Sequence, residues 1–233
     1  MAIALTYAAA IFSMGRAFID WNVRNPYCAQ CGQSTVSVHA GGKRACPPTD
    51  MATVKSSQGS PSVKRLSCAT RNSVSNISFC RTDPSIIVAV ISSDGKRTLL
   101  GHNSRWRPHW YSTLAGFCEP DESAEEATRR EVWEETGVRI GRVVVQSTQP
   151  WPYPSSLMIG TIAQALPEHE EISLDNDAEL ADARWFDLQE VSESLDSWTV
   201  PMFEPPPPNY IDGKLMLPPS TAVANQLLRA IVG

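Results

Sequence analysis

Apolar positions at the start of the chain fall at helical spacing. Ala8, Ile11, Phe12 and Phe18 lie near one stripe, which predicts a helix over Ala2 to Val23. The apolar run from Met1 to Met14 has no basic residues ahead of it and is shorter than the roughly 20 residues of a membrane span, so it reads as a packing helix. Asn25-Pro26 ends the pattern and opens a cysteine-bearing loop region. From Lys55 to Ser75 the chain is rich in Ser and basic residues with almost no apolar periodicity, the pattern of a flexible insertion. Regular patterning resumes at Pro84. Ile86 to Ile91 is an unbroken apolar run expected as a buried strand, and Asp94-Gly95 marks a hairpin turn into Thr98 to Leu100.

Further strands are expected at Tyr111–Ala115, Val143–Ser147, Leu157–Ala165 and Ala183–Phe186, with helices over Ser123–Thr136 and Ala222–Val232. Strands and helices interleave without a regular βαβ repeat, which favours an α/β fold on a mixed sheet, a layered sandwich, over a doubly wound one. Seven prolines between Pro201 and Pro219 make that stretch an irregular surface loop.

Length and composition set the scale. The 233 residues, 42% hydrophobic and 19% charged, are enough for one compact domain and a small module, and they exclude a disordered or collagen-like chain. The expected division is an N-terminal helix over 1–24, a small module over 25–81 and a larger domain over 82–233. Charge is uneven within the net −5: Glu119 to Glu135 holds eight acidic residues against two basic ones, whereas Arg24 to Arg81 holds eight basic residues against Asp50. That asymmetry points to a cation-binding or acid/base site in the middle and an anion-attracting flank before it, with two solvated faces as the plainer alternative. Six cysteines without a signal peptide read as thiols or metal ligands in an intracellular compartment rather than as disulfides.

The most informative segment runs from Gly116 to Val138. Ser123 with Glu126 forms a capping-box pattern, and Gly137 stands where a helix ends in a left-handed residue. Between them, Glu131, Glu134 and Glu135 occupy i, i+3 and i+4 and share one face. Like charges at that spacing repel by a few tenths of a kcal/mol per pair, so a compensating cation is expected. With no His or thiolate in the pattern, the ion is a hard one, Mg²⁺ or Mn²⁺. Arg130 is placed to pair with Glu122.

This segment resembles the Nudix box, G-x5-E-x7-R-E-U-x-E-E-x-G-U with U apolar, at every defined position. A chance match at a given position is on the order of one in a billion. The resemblance implies a Nudix α/β/α sandwich and hydrolysis of a nucleoside diphosphate linked to another moiety. It also implies that Glu131, Glu134 and Glu135 hold the metals, with the Ala115 carbonyl and Glu179 as further ligands, Asp182 being the alternative to Glu179. Glu134 or Glu135 would take a proton from the attacking water.

The stretch Gln149-Pro150-Trp151-Pro152-Tyr153-Pro154-Ser155-Ser156 resembles the signature of the NADH pyrophosphatase branch. Three prolines spaced by two would stiffen a loop around a flat ligand. Members of this branch carry a zinc ribbon before the Nudix domain. Cys28-x2-Cys31 is a first half-site, and Cys46 with Cys68, widely spaced, is the second, with Cys80 in reserve. Phe79, Phe117 and Trp151 would stack on a base or the nicotinamide, and Ala224 matches a substrate-contact position. His102-Asn103-Ser104 departs from a more basic stretch common in relatives.

The function implied is hydrolysis of NADH or NAD⁺ to NMNH or NMN and AMP. Other nucleoside diphosphates (ADP-ribose, dinucleoside polyphosphates), NAD-capped RNA, and an inactive zinc-ribbon binding module stand as alternatives. Only 27 residues precede Cys28, so the likeness is to the C-terminal part of a longer enzyme. A homodimer is the assembly the resemblance suggests. The compartment expected is the cytoplasm, with the peroxisome as the second choice because relatives occur there, although the terminus Arg229 to Gly233 lacks an Ser-Lys-Leu address.

Overall fold

The computed structural model describes residues 2–47, 67–71, 79–153 and 155–233, with side chains from residue 8 onward. The chain divides into two compact units. The first comprises Met1–Thr82 with Pro150–Ser156, the second Asp83–Gln149 with Leu157–Gly233. Most of the stretch expected as a flexible insertion, and Pro154, lie outside the described residues.

In the first unit, helix α1 (Ala2–Arg24) is followed by strands β1 (Val36–Val38) and β2 (Lys43–Ala45). These two strands pair antiparallel with Val36 opposite Ala45. The expected packing stripe of α1 needs correction: Ile11 and Phe12 are 66% and 55% exposed, whereas Trp21 is 5% exposed. A two-strand element covers only the last turns of a 23-residue helix, and there Trp21 is buried. Asn22 donates its side-chain N–H groups to the Phe18 and Gly41 carbonyls at 2.9 and 2.8 Å. Among the described residues, no helix is long and apolar enough to cross a membrane.

The second unit is built on a six-stranded sheet. Its strands are β3 (Asp83–Ile91), β4 (Arg97–His102), β5 (Leu114–Phe117), β6 (Ile140–Trp151), β7 (Ser156–Ala165) and β8 (Asp182–Asp187), in the order β6-β7-β3-β4-β8, with β5 also on β3. Strand β3 pairs antiparallel with both β4 and β5, and β4 with β8. Ile86 to Val90 are buried, on both faces of the sheet, which is why the run does not alternate. Ile86, Val88 and Val90 pack with Val132, Val138 and Ala163, whereas Ile87 and Ala89 pack with Val223, Ala224 and Leu227. Helices α2 (Ala124–Thr136) and α4 (Val223–Val232) therefore cover opposite faces. Helix α3 (Leu188–Ser197), which the sequence pattern misses, packs through Val191 and Leu195. The strand expected at Tyr111 begins only at Leu114, because Ser112 makes an isolated bridge to Gly101 and Tyr111 turns into the core.

Candidate functional site

Helix α2 is fixed at both ends by its own sequence. The Ser123 hydroxyl accepts from the Glu126 N–H at 3.2 Å, and the Glu126 carboxylate accepts from the Ser123 N–H at 3.0 Å. At the other end Gly137 takes φ +71°, and its N–H reaches the Trp133 carbonyl at 2.8 Å. Ala127, Thr128, Val132 and Thr136 turn inward, and Glu135 is buried with them. The three glutamates differ sharply in setting despite one face. The Glu134 and Glu131 side chains are 40% and 14% exposed, and Glu135 as a residue is only 4% exposed.

Arg130 collects the other carboxylates. It donates to both oxygens of Glu122 at 2.7 and 2.8 Å, to Glu131 at 2.8 Å, to Glu134 at 2.9 Å and to the Phe117 carbonyl at 2.8 Å. This fork ties the loop before α2 to the helix, and with Arg130 beside it Glu122 titrates at about 2. Gly116 lies directly beside Glu131. A Cβ at 116 would sit 2.0 Å from the Glu131 carboxyl carbon, so only glycine leaves that carboxylate its place. Ala115, its neighbour on β5, pairs with Ile87 of β3.

Glu135 has one buried oxygen, Oε2, with no hydrogen-bond partner among the described residues. Burial first, and then the charges of Glu179, Glu131, Asp177 and Glu134, push its pKa up to about 9. Burial also raises Glu131, against the pull of Arg130. A buried carboxylate oxygen without a donor, among other carboxylates, is what a divalent cation compensates, and an all-oxygen donor set suits a hard ion. The donor chemistry fits Mg²⁺ or Mn²⁺, although the carboxylate oxygens of Glu131, Glu134, Glu135 and Glu179 do not converge as closely as the cysteine sulfurs of the first unit. Asp182 is differently engaged: it accepts from the Tyr111 hydroxyl at 2.5 Å and from Arg184 at 2.6 Å. Glu179, by contrast, is a carboxylate felt at both Glu135 and Glu131.

The first unit holds a second cluster. The sulfurs of Cys28, Cys31, Cys46 and Cys68 all lie within 4.8 Å of one another, and they are the only such His/Cys/Asp/Glu group among the described residues. Cys28 and Cys68 are 3.7 Å apart and Cys31 and Cys46 3.6 Å, too long for disulfides, whose sulfurs bond at about 2.05 Å. Thiolates about 2.3 Å from a tetrahedral Zn²⁺ stand about 3.8 Å from each other, so the spacing fits zinc. Charge agrees with geometry. Burial raises the Cys28 thiol, but the backbone N–H groups of Cys31 and Gln30 outweigh it and bring Cys28 to about 6. The Gln33 backbone favours the Cys31 thiolate, yet burial and the neighbouring sulfurs hold it up at about 11. One thiol ionises easily and the next resists, a conflict that a cation removes. Cys80 lies outside the cluster, with its sulfur 3.9 Å from the Ala17 carbonyl.

The remaining expected contact residues divide between the two units. Within the first unit, Pro150, Trp151, Pro152, Ser155 and Ser156 line a cavity of about 310 Å³ with residues of α1. Trp151 is exposed, and the exposed Tyr153 ring carries the Arg16 guanidinium 5.4 Å from its centre. Phe79, also exposed, lies against Lys43, whose ammonium is 5.2 Å from the ring centre, and in the second unit Phe117 is exposed at the end of β5. Two of the expected contact residues have partners within the fold. Gln149 uses both ends of its amide at the start of α4, donating to the Thr221 carbonyl and accepting from the Val223 N–H, each at 2.9 Å. Ala222 supplies no side-chain cap there, and Gln149 takes that part. Ala224 is buried among Ile87, Ala89, Val223 and Leu227, so its methyl group packs the core. Asn103, which the sequence marks only as a departure, turns out to hold the Glu179 segment.

A family model described as "NUDIX domain" matches residues 81–204. The chain is 36% identical over 228 residues to "NAD-capped RNA hydrolase NPY1" of Saccharomyces cerevisiae, a match covering 96% of this chain and 55% of that protein. It is 37% identical over 221 residues to "NAD-capped RNA hydrolase NUDT12" of Homo sapiens, covering 95% and 41%. It is also 32% identical over 222 residues to "NAD(P)H pyrophosphatase NUDT13, mitochondrial" of Mus musculus, covering 95% and 54%. The chain thus spans about half the length of the curated relatives it matches.

Proposed function

The chain belongs to the Nudix hydrolase family, in the branch of NADH pyrophosphatases and NAD-capped RNA hydrolases, and from that premise we propose that it splits the central diphosphate of NADH or NAD⁺. The products would be NMNH or NMN and AMP. The observation that carries the reading is Glu135: a buried carboxyl with an unpartnered oxygen, within electrostatic reach of Glu131, Glu134 and Glu179. Glu131, Glu134, Glu135 and Glu179, with the Ala115 carbonyl, would hold Mg²⁺ or Mn²⁺. Such a cation, when bound, neutralises the diphosphate and lowers the pKa of a water placed in line with phosphorus.

The rest falls to the chain. Arg130 keeps Glu131 and Glu134 in register with the loop before α2, so the carboxylates are oriented before substrate arrives. Glu134 or Glu135 takes the proton of the attacking water. Cys28, Cys31, Cys46 and Cys68 hold a structural zinc, which makes 25–81 a metal-dependent module and leaves 82–233 as the catalytic domain. NAD-capped RNA presents the same diphosphate, and the names of the yeast and human relatives favour it as the second substrate. Product analysis on NADH, NAD⁺, ADP-ribose and diadenosine polyphosphates, with and without Mg²⁺, tests the assignment. Release of AMP and NMNH from NADH, dependent on the cation, is expected; no turnover of either NADH or NAD⁺ would overturn it.

Trp151 separates a dinucleotide enzyme from a generic one. If its exposed ring stacks on a base, Trp151→Ala loses roughly 1 to 3 kcal/mol, or about 5- to 150-fold in kcat/KM for NADH, with a smaller loss on a substrate reaching only the carboxylates. An equal loss on all substrates together with a lowered Tm would mark Trp151 as a packing residue.

A further inference from the structure

Strand β4 ends at His102, and the next residue, Asn103, is only 6% exposed. Its side-chain amide is used at both ends. The Nδ2 group donates to the backbone carbonyl of Glu179 at 3.0 Å, across 76 positions of sequence, and Oδ1 accepts from the Arg105 N–H at 3.0 Å. Around this bond the segment before β8 is fastened repeatedly. The Ala181 N–H donates to the His102 carbonyl at 2.8 Å, the Glu179 N–H donates to the Asp177 carboxylate at 3.1 Å, and Leu180 lies so close to Gly101 that a Cβ there would meet it at 2.9 Å.

The ladder of β4 and β8 closes at His102 opposite Asp182. Beyond it, the Asn103 amide carries the pairing further, to the carbonyl of Glu179. Both peptide groups of Glu179 are therefore tied, one by Asp177 and one by Asn103, while its side chain remains exposed. A carboxylate on an otherwise irregular segment is thus held at its root and left free at its tip. The amide suits position 103 because it sets a donor toward Glu179 and an acceptor toward Arg105 on one short side chain.

We propose that Asn103 is a positioning residue for Glu179, holding the backbone from which that carboxylate reaches the cation site. The proposal rests on the reading of Glu179 as a metal ligand. Residues that orient a ligand without touching the ion typically change metal affinity 10- to 100-fold when replaced.

The test is Mn²⁺ binding to the full chain, measured by calorimetry for the wild type, Glu179→Gln, Asn103→Ala, Asn103→Asp and the Glu179→Gln/Asn103→Ala double variant. Asp keeps the shape and the acceptor toward Arg105 but sets an oxygen against the Glu179 carbonyl, so a purely space-filling role would spare it. The expected result is a Mn²⁺ Kd raised about tenfold in both Asn103 variants, with no further rise when Asn103→Ala is added to Glu179→Gln. Wild-type affinity in Asn103→Asp, additive losses in the double variant, or failure of both Asn103 variants to fold would overturn the proposal. If Glu179→Gln itself leaves Mn²⁺ affinity unchanged, the metal role of Glu179 falls and this role for Asn103 falls with it. Weakened binding in Glu179→Gln without coupling to Asn103 would overturn the positioning role alone.

Discussion

Glu135→Gln is expected to lower kcat by about two decades or more in saturating Mg²⁺, the scale of removing a principal electrostatic stabiliser, while leaving the metal-free protein folded and more stable at alkaline pH. Both halves come from one geometry. The carboxyl is buried with Oε2 unpartnered, and burial together with Glu179, Glu131, Asp177 and Glu134 places its pKa at about 9 against an ordinary 4.5. A carboxyl whose pKa is raised on folding binds its proton more tightly in the native state. Its contribution is complete below about 4.5 and is lost as pH rises through about 9. Without metal, the wild-type Tm should therefore fall across that window, and the Gln variant should lack this part of the slope. Mn²⁺ should restore the wild type at pH 8 and do less for the variant. Scanning fluorimetry from pH 5 to 9, with chelator or Mn²⁺, reads all of this. Wild-type turnover by the variant, or identical slopes, would remove Glu135 from the site.

The second large effect concerns the four cysteines. One zinc per chain should copurify, and Cys28→Ser should abolish its retention and unfold the first unit. Structural zinc contributes an apparent ~10–16 kcal/mol in small peptides at neutral pH, comparable to the whole stability of an ordinary domain. The first unit has little else. Its described apolar core is Trp21 of α1, Val38 and Ala45 at the ends of two three-residue strands, and the cysteines themselves. Elemental analysis with amide exchange resolved along the chain would check it, protection being lost in β1 and β2. Cys80→Ser should keep its zinc, because that sulfur lies by Ala17 outside the cluster. A folded, active preparation without zinc would refute the structural role.

What the sequence discloses of this protein is what short-range physics controls. Helix α2 is legible because its signals are local: Ser123 and Glu126 cap it, Gly137 ends it, and the glutamates sit a turn apart. Strand β3 is legible because a run buried on both faces needs no alternation. Helix α3 escapes notice, being ten residues long with no side-chain cap at Asp187 and only Val191, Ser194 and Leu195 buried. In α1 the stripe suggests an inward face at Ile11 and Phe12, but which turns are covered depends on how much partner surface the unit offers. The spacing of Glu131, Glu134 and Glu135 puts them on one face yet cannot show that Glu135 alone is sunk into the core. The bond from Asn103 to Glu179 spans 76 positions and leaves no mark on local pattern.

Gly116 carries a lesson for reading variant libraries of this chain. Position 116 is only half-buried, and the atom that an added methyl would strike belongs to the tip of the Glu131 side chain rather than to backbone. The end of a flexible side chain can swing away at the cost of its bond to Arg130 rather than of any backbone shift, so Gly116→Ala should have a small effect in a screen that scores abundance or solubility. A selection for turnover would see the opposite, since the displaced group is one of the clustered acids. Exposure-based tolerance maps would mark this residue as permissive, and a comparison of the two screens would single it out as a site where fitness and foldability part.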